Sequence, residues 1–161
     1  MKRLLEILRE RGYAEDRLCR IKAALELAQE GVKAKEPPAD IVAAFVEAAV
    51  NDALAGICGP ECEIKESFWD TSSGQLVATA QYWLYQDDLI TASEAAKILF
   101  GNSSERFLMA VRHLSISGEL PRYRRPDILL SRPPRRDVTG RSSRSWLYRK
   151  SEVEALRPLD R

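Results

Sequence analysis

Charge is sorted along this chain. Residues 1–90 hold ten Lys and Arg against sixteen Asp and Glu, a net of −6; residues 91–161 hold fifteen against eight, a net of +7. The overall balance of +1 conceals the split. Such sorting points to two separate units, and a basic half points to a polyanionic partner for that half. The 161 residues have room for one large domain or two small ones. With 45% hydrophobic and 30% charged residues, the composition is that of a globular chain and excludes a fibrous or largely disordered one.

The longest apolar run, Ile41 to Val50, is ten residues and contains Glu47, well short of the roughly 18–20 residues of a membrane span. Glu6, Arg9 and Glu10 interrupt any signal-peptide core after Met1. A cytoplasmic, nucleoid-associated protein without membrane contact is expected. Cys19, Cys58 and Cys62 are an odd number of thiols, read as reduced. Cys58 and Cys62 flank Gly59-Pro60-Glu61, and the only histidine is His113, so a zinc site lacks a second close ligand pair. Packing of these cysteines beside a turn is preferred to metal binding. There is no Gly-rich phosphate loop and no His-x-x-x-His pair. Asp87-Asp88 and Glu61/Glu63 read as solvated acidic surface. No enzyme activity, cofactor, metal or small-molecule substrate is expected.

The acidic half reads as helices. Residues 2–11 set Leu4, Leu5, Ile7 and Leu8 on one side before Gly12. From Glu15 to Glu30, Leu18, Ile21, Leu25 and Ala28 form a helical seam, with Gly31 expected as its C-cap. Pro37-Pro38 breaks the chain, and Asp40 is the expected N-cap of a helix to about Ala55. That helix is apolar on most of its circumference and needs cover on several sides. A homodimer interface at Ile41, Phe45, Val46 and Val50 is one expectation; cover from the aromatic cluster around Trp83, leaving a monomer, is the other. Gly56 to Pro60 reads as a turn, residues 61–69 as a short strand or irregular chain. Ser72 or Ser73 is expected to cap a helix through Tyr85, with Tyr82 to Tyr85 as core.

In the basic half, Thr91 is an N-cap and Glu94 completes a capping box. Ala95, Ile98 and Leu99 form the buried face of a short helix that ends at Gly101-Asn102. Ser103 or Ser104 starts a second helix to about Ser117. Two helices joined by a Gly-containing turn have the helix-turn-helix layout. On the second helix Phe107, Val111 and Leu114 share one face, while Arg106, Met109 and His113 share the other with Arg112 at the flank. An apolar face turned inward and an Arg/His/Met face turned outward suit a helix that reads the major groove.

After Gly118-Glu119-Leu120-Pro121 come two strand-like segments with basic ends, one carrying Arg122 and Arg124, the other running from Ser145 to Arg149 and Lys150. Ser151 to Leu156 follows as a short helix. The succession from Thr91-x-x-Glu94-Ala95-Ala96 through Gly118-Glu119-Leu120-Pro121 to Trp146–Leu156 resembles the MerR/excisionase-like winged helix-turn-helix family over residues 89–157. The resemblance implies a winged helix-turn-helix (89–161) with a two-stranded wing; with the helical N-terminal domain (1–88) read from its apolar spacing, the chain is expected to be mainly α. It departs from the family pattern in an interval from Gly101 to Gly118 about one turn longer, and in a wing expanded from Arg125 to Ser145.

That insert carries Arg125, Arg132, Arg135, Arg136, Arg141 and Arg144 against Asp127 and Asp137 alone. Arginine rather than lysine favours phosphate or base recognition. Double-stranded DNA is therefore the expected partner. The expected contacts are Ser103 and Ser104 at the helix start, Arg106, Met109, Arg112 and His113 on the helix, the wing arginines, and Arg149 and Lys150. A protein-interaction adaptor, whose winged helix binds a protein, is the competing expectation.

Overall fold

A computed structural model describes residues 1–58, 64–129 and 146–157 and resolves the chain into two compact units, Met1–Leu84 and Tyr85–Arg161. The described residues are mainly helical, with seven α-helices and one three-stranded antiparallel sheet.

The first unit holds α1 (Lys2–Glu10), α2 (Glu15–Ala34), α3 (Asp40–Cys58), a 3-10 turn at Glu66–Asp70 and α4 (Ser72–Tyr85). Leu4 and Leu8 lie one turn apart on α1 and are fully buried. The seam of α2 and the Val46, Val50 and Ala53 stripe of α3 are buried likewise, and the three helices pack on one another. Each such Leu, Ile or Val contributes about 1.5–3 kcal/mol by leaving water. Polar contacts set the register of α2 on α3: the Tyr13 hydroxyl donates to the Asp52 carbonyl at 2.9 Å, and Arg17 Nε donates to Asp52 Oδ2 at 2.6 Å.

Several expectations change here. Gly31 does not cap α2, which continues to Ala34 and stops at Lys35 in the left-handed region (φ 57°). Gly31 instead lies against the Trp83 indole, where a Cβ would overlap the ring, and Trp83 Nε1 donates to the Glu36 carbonyl at 2.6 Å. Gly56 lies inside α3 rather than in a turn, buried where a Cβ would overlap Leu8 and Tyr13. Close approach of a neighbour, not a chain reversal, explains both glycines. The cap of α4 is Thr71, whose Oγ1 accepts from the Gly74 amide at 3.0 Å; Ser73 points inward and is buried. Residues 66–70 are helical rather than strand, and 59–63, with Cys62, lie outside the described residues. Cys19 is exposed and Cys58 half-buried. Val46 and Val50 are buried in their own unit, so neither is available to a second chain; only Ile41 and Phe45 of the expected dimer set are exposed. The full helix α3 also differs from the ten-residue run seen in sequence. Once Asn51 and Asp52 are carried within it, its 19 residues are long and apolar enough to cross a membrane by length and composition.

The second unit runs β1 (Leu89–Thr91), α5 (Ala92–Phe100), α6 (Glu105–Ile116), β2 (Tyr123–Arg124), a 3-10 turn at Asp127–Leu129, β3 (Trp146–Arg149) and α7 (Lys150–Leu156). The sheet has the order β1-β3-β2, with Thr91 and Tyr123 both opposite Leu147. The expected two-stranded sheet thus gains Leu89–Thr91 as a third strand, too short for its alternation to be read from sequence. Ala95 and Ala96 on α5, Val111, Leu120, Tyr148 and Val153 form the core, with Ile98, Leu99, Phe107 and Leu114 packed around it. The paired alanines let α6 and α7 approach α5 closely.

The chain divides four residues before the expected boundary because Tyr85 and Asp88 belong to this unit. Tyr85 packs edge-on to Tyr123, with ring centres 5.4 Å apart, and the Arg149 guanidinium lies 4.2 Å from the Tyr85 ring centre. Asp88 takes over the start of α7: its Oδ1 accepts from the Ser151 amide at 3.1 Å, its backbone carbonyl from the Lys150 amide at 2.7 Å, and its Oδ2 from Arg149 Nε at 3.1 Å.

Candidate nucleic-acid interface

The helix pair α5–α6 is positioned by local chemistry legible in its own residues. The Thr91 amide donates to Glu94 Oε2 at 2.8 Å, and the Glu94 amide donates to Thr91 Oγ1 at 3.3 Å, closing the capping box. These bonds from Thr91 hold the Glu94 carboxyl below its ordinary range. Gly101 ends α5 in the left-handed region (φ 71°). Asn102 Oδ1 then accepts from the Ser104 amide at 2.8 Å, a side-chain turn that redirects the chain into α6. Ser104 is the N-cap residue, but its side chain makes no capping bond; its carbonyl accepts from Phe107 and Leu108.

α6 divides as its periodicity predicts. Val111 is fully buried, with Phe107 and Leu114 half-buried beside it; Arg106, Met109, Arg112 and His113 are all exposed, Met109 by 43%. Beside this face, the Arg122 guanidinium lies 4.2 Å from the centre of the Trp146 ring. Tyr148 links helix and sheet. Burial pushes its phenol up, opposed by the charges of Arg122 and Arg112.

Not all of the expected contact residues are placed for contact. Arg124 is only 6% exposed, opposite Trp146 in the sheet with its guanidinium 5.5 Å from that ring; it is a structural residue. Arg149 is held by Asp88, Tyr85 and Glu152, and although burial opposes its charge, Asp88 and Tyr123 keep it more firmly protonated than usual. Both are corrected from DNA contact to fold support, Arg124 because it is buried in the sheet and Arg149 because Asp88, Glu152 and the Tyr85 ring hold its guanidinium. Arg125 and Lys150 are exposed, Lys150 lying 3.7 Å from Glu154. Ser103 is half-buried and Ser104 exposed. Arg132, Arg135, Arg136, Arg141 and Arg144 lie outside the described residues.

Sequence reasoning missed Trp146 as the platform for Arg122. An aromatic residue two positions from another aromatic in a basic strand was the available signal. Among the described residues, no group of three or more His, Cys, Asp or Glu is gathered as metal ligands would be. Set against known protein families, characterised proteins and solved structures, the chain matches none.

Proposed function

We propose that the second unit binds double-stranded DNA sequence-selectively, in the manner of the MerR/excisionase-like winged helix-turn-helix domains it resembles. The chain would then serve as a transcription regulator, a recombination directionality factor or a plasmid or chromosome maintenance factor. The observation that carries this reading is the division of α6. Its inner face is anchored by Val111, and its outer face offers Arg106, Met109, Arg112 and His113 to solvent. A helix fits the major groove, where arginine pairs with guanine O6 and N7 through two bonds. Arg122, stacked on Trp146, and exposed Arg125 supply phosphate contacts, and the amides at the start of α6 suit a further phosphate.

The test selects bound duplexes from a random pool and compares wild type with Arg106→Ala/Arg112→Ala in gel shifts. Removing an arginine that pairs with a base through two bonds costs about 1–3 kcal/mol and relaxes specificity at that base pair. Unchanged affinity and sequence preference would reject this reading of α6. One observation favours a protein-binding adaptor as second reading: a groove of about 750 Å³ in this unit, walled by Leu99, Leu114 and the exposed Phe100, Ile116 and Leu156. Salt separates the two, since phosphate binding falls steeply with added salt and an apolar protein contact does not.

A further inference from the structure

We infer that Met109 is a specificity-determining residue that reads the C5 methyl group of thymine in the major groove. This rests on the reading of the second unit as a DNA-binding module and adds a base preference to it. At about 100° per residue, Met109 stands about 200° around α6 from the fully buried Val111, and so marks the middle of the outward face. Phe107, Leu108 and Leu114 pack toward the core of the unit, whereas Met109 is 43% exposed. Its neighbours one turn away are Glu105 and Arg106 on one side and Arg112 and His113 on the other, all exposed. Among the described residues, no side-chain hydrogen bond or ion pair occupies these four. The helix thus presents one apolar point inside a ring of hydrogen-bonding groups. Met109 is also in the first half of α6, the half that a helix-turn-helix carries to the base edges.

Of the base edges in the major groove, guanine offers two acceptors, adenine an acceptor and an amino donor, and cytosine an amino donor; thymine offers an acceptor beside a methyl group. Arg106 and Arg112 suit acceptors, Glu105 suits an amino donor, and His113 serves either. A thioether is at most a weak acceptor, so the methyl is the group of the groove floor that Met109 meets without loss. Opposite a guanine or cytosine edge it would displace water from a polar group and return no bond, which disfavours those base pairs. The side chain is unbranched with three rotatable bonds, so its end adapts to a methyl without movement of the helix. A single exposed apolar residue needs no explanation by itself. This one is set where every neighbour a turn away is polar and where α6 faces away from its own core. Removing one methyl from such a contact corresponds to about a fourfold loss of affinity.

The experiment takes the duplexes that the full chain selects from a random pool and replaces each thymine in turn by deoxyuridine, which keeps the base pair and lacks the methyl. Binding of wild type, followed by fluorescence anisotropy, is expected to weaken about fourfold at the position facing Met109. Met109→Ala is expected to bind the thymine duplex more weakly and to show no difference between thymine and deoxyuridine at that position. Circular dichroism verifies that this variant keeps its fold, as an exposed residue allows. A selected site without a fixed thymine, or a wild type indifferent to deoxyuridine at every thymine, overturns the inference and leaves DNA binding standing. A loss on deoxyuridine that persists undiminished in Met109→Ala overturns it as well, since the methyl would then act through the shape of the duplex. A chain that selects no duplex overturns the DNA-binding reading and this inference together.

Discussion

The dependence of α7 on Asp88 turns a bond across 63 positions of sequence into a measurable quantity. Asp88→Ala removes the acceptor of the Ser151 amide, worth about 1 kcal/mol as a helix cap. It also removes the ion pair with Arg149; both side chains are 30% exposed, so solvent screening leaves about 0.5–1 kcal/mol. Together the loss is about 2 kcal/mol, or roughly 30-fold in the local opening constant. Asp88→Asn keeps a cap oxygen but not the charge, and costs about half as much. Hydrogen exchange of the full chain, followed by mass spectrometry on peptides covering 147–157, reads this opening directly; peptides from α2 serve as control. The effect depends on pH with a definite sign. Partial burial pushes the Asp88 carboxyl up, but the bonds from Ser151 and Arg149 outweigh it and hold it below the ordinary range. A depressed carboxylate stabilises the fold above its unfolded pKa of about 3.9 and loses that stabilisation as pH falls through the folded value. The difference between wild type and Asp88→Asn is therefore complete at neutral pH and closes below about pH 4. Exchange of α7 in Asp88→Ala within twofold of wild type at neutral pH would refute the reasoning.

Gly31→Ala tests the contact with Trp83. An alanine in a free helix gains up to about 1 kcal/mol over glycine, but here its Cβ meets a buried indole, so a loss of about 1–3 kcal/mol is expected. Chemical unfolding followed by tryptophan fluorescence gives the sign, and a stabilised variant would contradict the packing described. Thr91→Ala opens the capping box at a cost of about 1 kcal/mol, and the Glu94 carboxyl moves up toward its ordinary range. Carboxyl titration by NMR detects the part of the shift that the hydroxyl supplies, since alanine keeps the amide bond at position 91, and an unmoved Glu94 would mean that the Thr91 hydroxyl does not hold it.

The elements legible in sequence were those whose determinants are close along the chain. The capping box at Thr91 and Glu94, the left-handed Gly101 and the two faces of α6 all depend on groups within a few residues of one another. So do the apolar stripes of α1, α2 and α3. Misread features depend on partners that sequence spacing does not reveal. Gly31 and Gly56 have the chemistry of helix ends, yet each lies inside a helix because Trp83, or Leu8 with Tyr13, fills the space a side chain would take. Strand β1 is recognisable only through its pairing with β3, and Asp88 is a cap only because that pairing brings it to Ser151. Arg124 and Arg149 count as cations in any tally of charge, but the sheet turns Arg124 inward and Asp88 and Glu152 claim Arg149. Val46 and Val50 followed the same logic on α3: composition marks that helix as apolar all round, and only packing decides which side is already covered. Local backbone chemistry is written in neighbouring residues; the identity of what fills a space, or pairs with a charge, is settled by the residues that tertiary folding brings beside it.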